Sequence, residues 1–180
     1  RKFHGIPVLM IALAVSAVIM VLSGSVVGSR AVLVLDPSKY DITLMSMYGG
    51  GYYWDHLPSH IHRKYFFPKF IRYVIRYVTT FPGKLVYRTF IKEKYDVEIA
   101  CGDDIPSRVI NHSTNPHSKK ISWIHMDVQE RGYQGYEIRT AAGRRKFYRN
   151  FHHIVNVSNA CEQKFKEKFG VSPTRLKNIQ

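Results

Sequence analysis

The sequence predicts an α/β fold built on a mostly parallel sheet with helices packed on it. Short apolar, β-branched runs recur at Val97 to Cys101, Ile121 to Ile124 and Ile154 to Val157, separated by loop-plus-helix stretches. Strands alternating with helices at that interval belong to β-α units, in which each crossover returns the chain to a parallel neighbour. A third observation is Ala17 to Leu22, a continuous apolar run of the kind a strand shows when both of its faces are covered. With 180 residues, 45% of them hydrophobic, the chain is long enough to bury a proper core, most simply as one domain.

The N-terminal tract reads two ways. Arg1 and Lys2 precede an uncharged stretch from Ile6 to about Val27. That length, near the roughly 20 residues needed to cross a bilayer, suits a span or anchor, and its basic start and small residues Ser23, Gly24 and Ser25 also suit a signal peptide. Alternatively, Ala17 to Leu22 is the first strand of the sheet and the residues before it form an apolar extension. Residues 1–27 are therefore set apart from a domain over 28–180.

Asp36-Pro37-Ser38-Lys39 is a turn, since Asp bonds locally and Pro presets φ. Tyr40 to Met47 follows as a strand, broken by Gly49, Gly50 and Gly51. Between Lys64 and Val78, the residues Phe67, Phe70, Ile71, Val74, Ile75 and Val78 fall at helical spacing. Lys69, Arg72 and Arg76 share another face, which predicts an amphipathic helix with a basic side. Pro82-Gly83 separates it from a second helix that begins at Leu85. Further on, Ser107 to His112 suits a helix, and residues 129–145 are polar with three glycines and read as loop and irregular helix. Ser158 or Asn159 caps a helix from Ala160 to Phe169, which Gly170 stops. With Asn159 as the cap, Glu162 would complete a capping box.

The net charge of +14 predicts attraction to anionic partners. Aromatics mixed with Lys and Arg over residues 63–94 suit the headgroup zone of a membrane, with Lys69, Arg72 and Arg76 as the contacting cations. No nucleic-acid motif accompanies the charge, so nucleic acid is not the expected partner. Nine histidines include no HExxH and no paired Cys/His knuckle, and no metal is expected. Cys101 and Cys161 form no framework.

The segment Lys119-Lys-Ile-Ser-Trp-Ile-His-Met-Asp127 ends a strand on His125 and Asp127. Together with Lys94-Tyr-Asp-Val-Glu-Ile-Ala100, Ile154-Val-Asn-Val-Ser-Asn159 and Asp36-Pro-Ser-Lys-Tyr-Asp-Ile-Thr43, it resembles in order and spacing the acceptor-side domain of bacterial family 4 glycosyltransferases. The resemblance runs from about residue 18 to the end. It implies half of a GT-B fold, a Rossmann-like domain of a retaining enzyme that takes a nucleotide-sugar as donor substrate and needs no other cofactor. It also implies that His125 is the cleft histidine beside the transferred sugar, where an imidazole can donate a hydrogen bond and carry charge. Gly24 and Gly28 would lie at the phosphate-approaching turn, with Asp103 and Asp127 lining the same mouth.

The implied partners are a glycan or lipid-linked acceptor, an anionic membrane surface and a separate donor-domain chain. Because the donor-binding half would follow Gln180, the 180 residues alone are expected to be catalytically incompetent. Arg1 and Lys2 ahead of a span would put the remainder outside the cytoplasm. The later cations and the need for cytosolic sugar nucleotides favour the cytoplasmic face.

Overall fold

A computed structural model describes residues 16–22, 36–49, 52–73, 78–102, 105–124, 140–156, 158–170 and 176–178. Elements are numbered among these residues. Seven strands make one sheet: β1 (Ser16–Leu22), β2 (Tyr40–Tyr48), β3 (Ile61–Phe67), β4 (Val97–Cys101), β5 (Lys119–Ile124), β6 (His153–Asn156) and β7 (Leu176–Asn178). Every pairing is parallel and the order is β3-β2-β1-β4-β5-β6-β7. The mixed α/β architecture with a parallel, Rossmann-like sheet is therefore as the sequence predicts.

The apolar run near the N-terminus is the central strand β1. It pairs with β2 from Ser16↔Tyr40 to Leu22↔Ser46, and with β4 from Val18↔Val97 to Leu22↔Cys101. A strand paired on both sides has its backbone N–H and C=O groups taken up by neighbours, as the central strand of a parallel sheet requires. Residues 1–15 lie outside the described residues. Among those described, no helix is long and apolar enough to cross a membrane.

The helices are α1 (Tyr52–Asp55), α2 (Gly83–Phe90), α3 (Ile105–Asn111), α4 (Ala141–Arg149) and α5 (Asn159–Phe169). Strand order reverses at β1, and right-handed crossovers then send helices to opposite faces on either side of the reversal. Side chains from α2 to α5 share a core with Met45, Ala100, Ile124 and Ile154 on one face of the sheet. On the other face Ile42, Leu44, Ile61, Val97, Ile121 and Val155 pack with Leu57 and Trp54, from the connection between β2 and β3.

One prediction fails outright. Residues 64–67 do not begin the amphipathic helix expected over Lys64 to Val78; they belong to β3, an edge strand in register with β2 from Ile42↔Ile61 to Tyr48↔Phe67. The reason is Pro68. It has no N–H to give a helix and pushes Phe67 toward extended backbone, so a helix through residues 64–78 is broken at its first turn. Lys69 and Arg72 fall in the bends and turns that follow, and Tyr73 takes φ 68°, which no α-helix allows. Lys69 and Arg72 therefore share no helical face; Arg76 lies outside the described residues. Helical residues resume at 78–80.

Elsewhere local chemistry decides the element ends. Gly83 sits where any Cβ would meet the His112 ring, so α2 and α3 approach through a glycine. Ser158, not Asn159, caps α5: its Oγ accepts the Cys161 N–H at 3.2 Å, and Glu162 instead pairs with Lys166 at 2.6 Å. Gly170 stops the helix at φ 58°, ψ 38°, its N–H bonded to the Lys166 carbonyl at 2.8 Å.

A buried polar cluster crosses the sheet near its amino end. Glu98 is fully buried, and its Oε1 accepts from Tyr87 Oη at 2.8 Å and Ser113 Oγ at 3.0 Å. Burial raises its pKa, opposed by those hydrogen bonds and by Lys120, its register partner on β5. The folded state therefore holds a proton that the unfolded chain releases above about pH 4. The stabilisation belongs to low pH and is lost as pH rises through the raised value. Melting from pH 4 to 7 should show Glu98→Gln gaining on the wild type as pH increases; parallel curves for the two proteins would contradict the sign.

Candidate functional site

In an open α/β sheet, ligands bind beyond the carboxyl ends of the strands where the order reverses. Here that point lies between β1 and β4, whose last residues Leu22 and Cys101 are register partners. Cys101 in turn faces Trp123 on β5, and Ile124 faces Asn156 on β6. Four adjacent strands thus end together along one edge.

The described part of this edge is firmly built. Gly102 leaves β4 with φ 130°, a conformation open to glycine, and its N–H donates to the Trp123 carbonyl at 3.0 Å. Its own carbonyl accepts from Ser107 Oγ at 2.7 Å, and Ser107 Oγ lies 3.1 Å from Ser122 Oγ. Both serines are fully buried, so β4, β5 and the first turn of α3 are tied at a single point. The chain leaves β4 from that fixed anchor. Across the edge, Asn156 is buried at the end of β6, and Cys161 Sγ donates to its Oδ1 at 3.6 Å. Cys161 is in the first turn of α5, so this contact and the Ser158 cap together set where that helix begins.

Of the site residues expected from sequence, Gly24, Gly28, Asp103, His125, Asp127 and Arg76 lie outside the described residues. Sequence reasoning missed the Gly102–Ser107–Ser122 tie. No linear signal marks it, because the two hydroxyls are 15 residues apart and meet only when β4, β5 and α3 have packed. Neither free cysteine has the exposure of a nucleophile: both are buried, and burial pushes the Cys101 thiol up to about 12. Among the described residues, no three His, Cys, Asp or Glu side chains gather to hold a metal ion.

The remaining predicted residues, Lys69 and Arg72, are exposed just past β3. Their segment adjoins the same edge of the sheet. Tyr48 and Phe67 end β2 and β3 as register partners, the Gly49 N–H donates to the Phe67 carbonyl at 3.1 Å, and Phe70 lies 5.3 Å from the Tyr48 ring. Arg72 stands 4.9 Å from the centre of the Tyr73 ring, a cation–π contact. No family model matches this sequence, and no curated protein matches it.

Proposed function

We propose that this chain is the acceptor-binding, N-terminal domain of a retaining GT-B-type glycosyltransferase, moving a sugar from a nucleotide-sugar donor onto a glycan or lipid-linked acceptor. The support is topological. The order β3-β2-β1-β4-β5-β6-β7 is all parallel, and the segments leaving β1, β4 and β5 start from neighbouring points of one edge. Those are the segments in which Gly24, Gly28, Asp103, His125 and Asp127 occur in the sequence. In this reading His125 hydrogen-bonds the transferred sugar and stabilises charge developing on it, and the glycines let backbone N–H groups approach phosphate. The donor is gripped by a second domain, and the chain works at the cytoplasmic face, where nucleotide-sugars are.

Calorimetry with a lipid-linked saccharide in detergent tests this on the 180-residue chain. Saturable acceptor binding is expected, and it should survive His125→Ala, whose hydrogen bond is to the sugar of the donor. Tight nucleotide-sugar binding without acceptor binding would overturn the assignment. A second reading, a membrane-associated accessory protein with no chemistry of its own, is favoured by the exposed basic and aromatic surface beside β3. It predicts no acceptor binding at all.

A further inference from the structure

We infer that residues 69–73, the turn that leaves edge strand β3 at the carboxyl edge of the sheet, insert into the headgroup layer of an anionic lipid bilayer. The inference rests on exposed side chains and charge, independently of glycosyl transfer.

Phe70 is 73% exposed, Tyr73 64% and Ile71 47%, three large apolar side chains within four residues. Lys69 and Arg72 alternate with them and are also exposed. Folding gains little by leaving such surface in water, and contiguous exposed apolar groups of this kind mark contact sites. The surroundings supply one sign of charge. Residues 56–92 contain Arg63, Lys64, Lys69, Arg72, Arg76, Lys84, Arg88 and Lys92 and no Asp or Glu. The next anion, Glu93, is already paired with Lys64. Stacking of Phe66 on Phe90 at 4.4 Å fixes the end of β3 to the end of α2, whose Lys84 and Arg88 are exposed. Arg88, in the last turn of α2, is thereby carried toward the end of β3.

Charge and chemistry together select the occupant. A second copy would bring the same cations against these, which is repulsive. Nucleic acid would suit the cations and could stack on Phe70 or Tyr73, but it offers nothing to the aliphatic Ile71. An anionic bilayer takes all of them: cations at the phosphates, tyrosine in the headgroup layer, phenylalanine and isoleucine at the acyl boundary. Because Phe70 lies against Tyr48 at the end of β2, one strand spacing of about 4.8 Å from β1, insertion would turn the carboxyl edge of the sheet toward the lipid.

The test uses the full 180-residue chain. Both native cysteines are buried, so Phe70→Cys can be labelled selectively with a polarity-sensitive fluorophore. Ser38→Cys, in the exposed turn before β2, serves as the control at the opposite end of that strand. With vesicles of equal phosphatidylcholine and phosphatidylglycerol, the label at position 70 should brighten and shift to the blue while the label at 38 does not. Pure phosphatidylcholine should produce neither change, and 0.5 M NaCl should reverse most of the effect. Neutralising Lys69→Gln and Arg72→Gln together should lower partitioning onto anionic vesicles about 25-fold, about fivefold per cation.

The inference is overturned by a silent label at position 70 on vesicles that nonetheless bind the chain, which would assign binding to the apolar N-terminal tract. Equal response on neutral and anionic lipid overturns it too, as does the same blue shift with a single-stranded oligonucleotide or from self-association without vesicles. Acceptor binding in detergent is unaffected by any of these results, so the two readings fail separately.

Discussion

Truncating Phe165 to alanine should lower the unfolding free energy by about 3–5 kcal/mol, the usual cost of deleting a fully buried phenyl ring. Phe165 is 0% exposed and lies at the centre of an aromatic cluster. Its ring meets Tyr148 edge-on at 4.8 Å and Phe169 at 4.5 Å, and Tyr148 in turn touches Phe147, Phe151 and Phe169. These rings join α4 to α5 over the β6 side of the sheet. A void there cannot be filled by sliding α4, because that helix is also held to α3 by polar contacts. Asn111 Nδ2 donates to the Phe147 carbonyl, and Asn150 Nδ2 donates to Asn111 Oδ1 at 3.1 Å. At roughly 2–4 °C per kcal/mol for a chain of this size, the thermal midpoint should fall by about 10 °C, read by calorimetry. Phe165→Leu should lose far less; a loss as large as alanine's would mean that ring geometry, not buried volume, holds the cluster.

Arg108→Ala is expected to cost about 3 kcal/mol through a different mechanism. The guanidinium is 4% exposed, and Nη1 and Nη2 donate to the carbonyls of Val78 and Phe81 at 2.7 Å each. Val78 is the first of the helical residues 78–80 and Phe81 follows them directly, so the guanidinium spans that short segment. Two hydrogen bonds from a charged donor contribute about 1.5–3 kcal/mol apiece, and alanine removes both, one of them from the buried Val78. Lysine should rescue only partly, because one ammonium cannot reproduce the planar two-pronged geometry. Urea denaturation gives the magnitude. Amide exchange gives the location: protection should be lost first at residues 78–90, the approach to α2. A uniform loss across the sheet would show that Arg108 acts on the core and not on that segment.

Much of the architecture was legible because each β-α unit carries its own local signals. Val97 to Cys101 was read to the residue, and α5 within one residue, since Ser158 and Gly170 mark its two ends by chemistry that needs no tertiary context. β3 was not legible as a strand because the helical period read from Lys64 to Val78 overlaps its last residues; only Pro68 contradicts that period, and it weighs as a single residue against six. Helix α4 was hidden by composition. Arg145, Lys146 and Arg149 dominate it, and its one clear start signal is Thr140, whose Oγ1 accepts the Gly143 N–H at 3.0 Å. Strand β7 is three residues long and pairs with β6, too short for any pattern to register. At the edge of the sheet, the order of the strand ends could be anticipated, but the tie among Gly102, Ser107 and Ser122 could not, because it exists only between packed elements.

The position of β1 also bears on how the chain reaches its fold. Val18 pairs with Val97, so one side of the central strand stays open until a partner 79 residues later (97 − 18) has been made and brought back. Only β2, some twenty residues on, can pair with β1 early. Closing so long a loop precedes any reward from the contact, and a sheet assembled this way folds more slowly than a helical domain of equal length. During synthesis the most apolar strand of the chain waits half-paired, exposed to other chains in the same state.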